Sequence, residues 1–129
     1  MKRRTYLKAM LAAGAGSAAV RAADARPIQL HVDLSVVPTK EKEMLRNFET
    51  IFRPAAAKQP GYIDVKMEKL RSALQGSAPA GMNYRFVLTY ASEELRQKWV
   101  ASAVHQKVWP TIENTLSSKN YTVLLFDVH

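Results

Sequence analysis

Over residues 28–36 apolar and polar side chains alternate without a break. Leu30, Val32, Leu34 and Val36 fall on one face of an extended segment, and Gln29, His31, Asp33 and Ser35 on the other. This period of two predicts a strand with one buried face. Pro38 ends it, and a helix is expected from Thr39 as N-cap, with Glu41 and Glu43 in a first turn where carboxylates favour the helix dipole. Met44, Leu45, Phe48, Ile51, Phe52 and Ala55 give that helix an apolar stripe, and Pro54 should bend or restart it after Arg53. Gln59, Pro60 and Gly61 make a turn into a second strand at 62–70, with Ile63, Val65 and Met67 inward. A connection at 71–82, either a lid or a plain linker, leads to a third strand at 83–90. Ser92 caps the next helix, Glu93 and Glu94 fill its first turn, and Leu95, Trp99 and Val100 form its apolar side. A break is expected at 102–106, then a further helical stripe through Val108, Trp109, Ile112 and Leu116, and a closing strand at 121–128.

The order β-α-β-β-α-β is that of the α+β ferredoxin-like fold. Both helices should cover one sheet face. The other face carries Gln29, His31, Asp33, Ser35, Asp64, Lys66 and Glu68, so it is read as either solvated or a polar seam between two copies. A length of 129 residues fits one domain, and with no cysteine it can build neither disulfides nor a thiolate site.

Charge changes the picture less than its total implies. The formal net charge is +8, but five of the 19 basic residues and one of the 11 acidic ones lie in the first 25 positions. The remaining 14 and 10 are interleaved, which removes the main argument for a nucleic-acid partner. The N-terminal cluster has another reading. Arg3, Arg4, Thr5, Tyr6, Leu7 and Lys8 resemble the bacterial twin-arginine export motif, followed by an Ala/Gly-rich run and by Ala23-Asp24-Ala25, a small-x-small cleavage pattern. Residues 1–25 are therefore expected to be a removable signal and 26–129 the mature domain, periplasmic or secreted, with no stable membrane span after processing.

Pro60-Gly61-Tyr62, the strand Tyr84-Arg85-Phe86-Val87-Leu88-Thr89-Tyr90, and Ser92-Glu93-Glu94-Leu95 through Trp99 to His105 resemble the antibiotic biosynthesis monooxygenase domain family. The resemblance implies a dimeric α/β-barrel, hence a homodimer, and a repertoire that includes cofactor-independent oxygenases of quinols and polyketides as well as heme-degrading enzymes. Asp33, Tyr90 and Trp109 stand where the heme-degrading branch has Asn, Trp and His, which argues against heme cleavage here.

Against that background His105 reads as a base or donor facing the cleft between helices and sheet, or as a helix-capping residue. Trp99, Trp109, Phe86 and Phe48, with Tyr90, read as walls for a planar ligand, or simply as core. Tyr62 and Tyr84 offer phenolic hydroxyls, or merely strand propensity. His31, Asp33, Lys66 and Arg85 read as a polar network; a metal there would lack a third ligand, since the terminal His129 is poorly placed. The expected function is oxidation of a small aromatic or quinol-type substrate without metal or flavin. His105 would be the base, Tyr90 and Tyr84 the donors, and Trp99, Trp109, Phe86, Phe48 and Tyr62 the substrate-binding walls. The alternative is a non-catalytic module holding a small hydrophobic ligand in the same cleft.

Overall fold

A computed structural model describes residues 26–129; the export signal expected at 1–25 lies outside the described residues. Four strands, β1 (Ile28–Leu34), β2 (Tyr62–Lys69), β3 (Tyr84–Tyr90) and β4 (Thr122–Asp127), pair antiparallel in the order β2-β3-β1-β4. Because β3 lies between β1 and β2, and β1 between β3 and β4, the chain must cross the sheet twice. Helical segments make both crossings and cover the same face. This is the ferredoxin-like α+β arrangement. Ile28, Val32 and Leu34 of β1, Val65 of β2, and Tyr84, Phe86, Leu88 and Tyr90 of β3 are buried against the helices.

The first crossing starts with a single 3-10 turn at Pro38–Lys40, followed by α1 (Glu41–Asn47). Thr39 is not the cap. Pro38, with its φ fixed near helical values, starts the turn itself, so Thr39 already lies inside it. The restart expected near Pro54 takes the form of a π turn at Phe48–Phe52, where the Arg53 N–H donates to the Phe48 carbonyl five residues back, and α2 (Arg53–Ala57) follows. The widened turn accommodates a proline that has no N–H to give. Phe48 and Phe52 are buried by it, whereas Leu45 and Ile51, expected on the same stripe, stay largely exposed.

Gly61 carries the turn into β2 at φ 89°, in the left-handed region, and a Cβ there would lie 2.9 Å from Leu95 Cβ. Ile63 does not point inward. The ladder slips between Tyr62 and Asp64, and this bulge turns Ile63 out to 51% exposure.

The second crossing comprises α3 (Glu93–Ala101), α4 (Ala103–Val108) and α5 (Pro110–Glu113). Ser92 caps α3 as expected, accepting from the Leu95 N–H at 3.3 Å. The break is one residue, Ser102, extended at ψ 155°. Its Oγ donates to the Trp99 carbonyl at 2.7 Å and accepts from the His105 N–H at 3.2 Å, so one hydroxyl closes α3 and opens α4.

The uncovered sheet face is only partly polar. Its β1, β2 and β3 portion carries Gln29, His31, Asp33, Asp64, Lys66, Glu68 and Arg85, but Leu124 and Phe126 of β4 extend it as an apolar strip beside His31 and Gln29. The seam read as polar from sequence is corrected accordingly. The edge strand β4 has Val123, Leu124, Leu125 and Phe126 each 44–49% exposed: Leu124 and Phe126 belong to the open face, and Val123 and Leu125 lie on the helix side at the sheet edge. No helix among the described residues is long and apolar enough to cross a membrane.

Candidate functional site

Between the helix layer and the sheet lies a cavity of about 180 Å³. Leu30, Val32, Phe86, Leu88 and Val123 form its floor. Phe52, Arg96, Trp99, Val100, His105, Trp109 and Tyr121 form its walls and mouth. The Ser102 break makes this possible, since it redirects the chain so that Trp99 at the end of α3 and His105 in α4 face one another. Their rings meet edge to face at 5.0 Å. Trp109 lies nearly parallel to His105 at 6.3 Å, and Phe52, pushed inward by the π turn, contacts Phe86 at 5.2 Å, Trp109 at 5.8 Å and Trp99 at 5.9 Å.

Half-buried among these rings, His105 has its pKa lowered below the usual 6.5, first by burial and then by the nearby Arg96 cation. It is therefore neutral at pH 7. Among the described residues nothing hydrogen-bonds its ring nitrogens, so a lone pair is free to accept a proton. Arg96 is held by both carboxylate oxygens of Glu93, at 2.6 and 2.7 Å, which fixes a cation at the cavity wall and holds the Glu93 carboxyl below its ordinary range. Trp109 Nε1 donates to Tyr121 Oη at 3.0 Å. Tyr121 in turn donates to Glu113 Oε2 at 2.8 Å. Trp99 Nε1 is buried and has no partner among the described residues.

Four of the side chains singled out from sequence thus share the cavity: His105, Trp99, Trp109 and Phe86. The other four lie elsewhere. Tyr84, at the far end of β3, gives its hydroxyl to Glu41, which Lys69 also engages at 2.7 Å; burial and this carboxylate push the Tyr84 phenol up to about 12. Tyr90 is fully buried at the opposite end, its hydroxyl without a partner among the described residues and its pKa pushed up to about 12 by burial. Tyr62 is paired opposite it, and Phe48 stacks behind Phe52 at 6.2 Å with Arg53 over its ring. Sequence reasoning missed Arg96, Tyr121 and the role of Phe52. Arg96 was findable one helical turn before Trp99 on the same face of α3, whereas Tyr121 reaches the cavity only through strand pairing.

On the open face His31 Nε2 meets Gln29 Oε1 at 2.7 Å, its Nδ1 is buried without a partner among the described residues, and Arg85 holds Asp33 at 2.8 Å. Among the described residues no three His, Asp or Glu side chains come together as a metal site. A larger hollow of about 430 Å³ lies between residues 70–82 and this face. Two of its three cations, Lys69 and Arg85, are paired with Glu41 and Asp33, and it has no aromatic wall; the smaller cavity, which gathers His105 with Trp99, Trp109 and Phe86, is the candidate site.

No family model and no curated protein matches this chain in sequence. Solved structures match it in shape. A provisionally named antibiotic biosynthesis monooxygenase from Caulobacter crescentus superposes at TM-score 0.64 and 17% identity, over 82% of this chain and 92% of that one. A dimeric ferredoxin-like protein of unknown function from a Jannaschia species gives 0.66 and 15%, over 79% and 99%. A variant of SnoaB, a cofactor-independent oxygenase from Streptomyces nogalater, gives 0.56 and 15%, over 81% and 95%. At these identities the likeness establishes the ferredoxin-like fold alone.

Proposed function

We propose that this chain is a periplasmic, homodimeric monooxygenase-like protein that oxidises a small aromatic or quinol-type substrate without a cofactor. The observation that carries the reading is His105: a neutral imidazole with no partner among the described residues, set among Trp99, Trp109 and Phe52 in a largely apolar cavity. Such a site holds a flat ring by stacking, takes a proton from it, and keeps water from the electron-rich anion that results. Oxygen then reacts with that anion. The substrate supplies the electrons: one oxygen atom enters it, and the other leaves as water with two substrate hydrogens.

Volume suggests the substrate. An apolar cavity of about 150 Å³ is known to hold benzene, so about 180 Å³ has room for one ring with small substituents. The fold shared with a cofactor-independent oxygenase supports the activity, without carrying residue roles across. Export follows the twin-arginine pattern at residues 3–8. Pairing of two copies is supported by the exposed apolar residues of β4 and by the dimeric ferredoxin-like neighbour.

Oxygen uptake by mature protein with a panel of monocyclic hydroquinones tests the reading. Saturable uptake is expected, lost in His105→Ala. Among the described residues His105 has no carboxylate or carbonyl fixing its tautomer, which a purely binding pocket would also tolerate. A retained ligand with no oxygen consumption therefore assigns the cavity to binding instead.

A further inference from the structure

The lining of the cavity carries one formal charge at pH 7. Its floor is apolar, His105 is neutral, and burial together with Glu113 keeps the Tyr121 phenol protonated, which leaves Arg96. Arg96 lines the cavity, whereas its partner Glu93 does not, so the pair presents its positive member to the interior. Glu93 takes the Nε proton and one Nη2 proton, and Gln97 holds the same carboxylate at 2.9 Å. A guanidinium has five N–H donors, and among the described residues nothing accepts from the other three. The Arg96 side chain is only 17% exposed, so water screens its charge weakly. The interior feels that charge: the Arg96 cation depresses the His105 pKa with no offset from Glu93.

Building on the pocket reading, we propose that Arg96 makes the cavity a site for aryl-oxide anions, stabilising the charge a monocyclic phenol or quinol acquires on losing its O–H proton and selecting acidic phenols over neutral rings of the same size. Burial alone works the other way, since desolvation disfavours the charged form and would hold a phenol protonated. A cation at the wall of a water-poor cavity reverses that balance. In the deprotonation the ligand O–H bond breaks, an N–H bond forms at His105, and no electrons are transferred. Arg96 exchanges no proton, because Glu93 holds it protonated. The same field that favours the aryl-oxide disfavours an imidazolium, so the charge that settles in the cavity is the ligand's. Glu93 sets the strength of the effect, anchoring the guanidinium while offsetting part of its charge.

Spectrophotometric titration of 4-nitrophenol bound to the full-chain protein tests this, because the anion of that probe alone absorbs in the visible. His105→Gln serves as the background, so that no imidazolium adds to the field. The bound phenol should titrate about one pH unit below the free one, which means the anion is held about tenfold more tightly than the neutral form. Arg96→Gln should raise the bound titration above that of the free phenol, and Arg96→Lys should restore part of the preference. Glu93→Gln should lower it further, since the amide oxygen still accepts from Arg96 but carries no counter-charge. A pair that served only to hold the helix would give shifts of one sign in both variants. A bound phenol that titrates above the free one in the background protein overturns the role of Arg96. So do variants that leave the titration unmoved or move it in the same direction; binding of the neutral phenol then leaves the pocket reading standing. Binding of neither form overturns both.

Discussion

His105 and Tyr90 show how burial produces opposite roles. The half-buried His105 imidazole loses its charge and keeps a lone pair open to the cavity, whereas the fully buried Tyr90 phenol keeps its proton and has nothing among the described residues to give it to. An unpaired buried hydroxyl costs stability, so Tyr90→Phe should leave urea stability unchanged or raise it by up to about 1 kcal/mol. A loss of oxygen uptake in that variant at full stability would make Tyr90 a donor after all. The two perturbed histidines also set a pH dependence. His31 and His105 both have folded pKa values below 6.5, lowered chiefly by burial, so the unfolded chain binds more protons as pH falls through that region. The stability from keeping these rings neutral is present above about pH 6.5 and is lost as pH drops toward the folded values. Melting temperature should fall between pH 7.5 and 5.5, and His105→Gln should flatten part of that slope. At this scale the sequence revealed the residues that carry chemistry by type, such as His105, Trp99 and Trp109. It did not reveal that the hydroxyl of Tyr84 is taken by Glu41, because that contact joins residues far apart in the chain.

Elements were legible wherever one period ran unbroken. The alternation of β1 and the Ser92 cap of α3 came straight from local pattern. The misses share a cause, namely backbone irregularities whose reason lies in another element. Ile63 turns outward because β2 slips against β3, and Phe52 enters the cavity wall because a π turn accommodates Pro54. Ser102 is the irregularity that matters most for the site, since its one hydroxyl joins Trp99 to His105. Ser102→Ala should cost about 1 kcal/mol, as N-cap losses do, and lower uptake by loosening His105, while Ser102→Asp, which can still cap α4, should recover most of both. Gly61→Ala should cost more than about 1 kcal/mol by chemical denaturation, because a side chain there meets both a left-handed φ and Leu95.

For the whole molecule, the ferredoxin-like order was readable from element sequence alone, but the nature of the open sheet face was not. The polar residues of β1 and β2 read as either a solvated face or a polar seam, whereas the strand that makes it partly apolar, β4, comes last in the chain and joins the face only by pairing with β1. A strip of Leu124 and Phe126 beside interleaved charges of both signs is suited to a second copy of itself, so light scattering should give the mass of two chains, and Phe126→Asp should give one chain with an unchanged far-ultraviolet spectrum. The reading of the interior cavity meets its most direct test in the pH dependence of kcat/KM for oxygen uptake with a hydroquinone, wild type against His105→Gln. A neutral His105 acting as base predicts an acid limb with an apparent pKa below 6.5 in the wild type, and a rate at least about 100-fold lower with that limb gone in His105→Gln. A variant that keeps both the rate and the acid limb would contradict the assignment of His105 as the base.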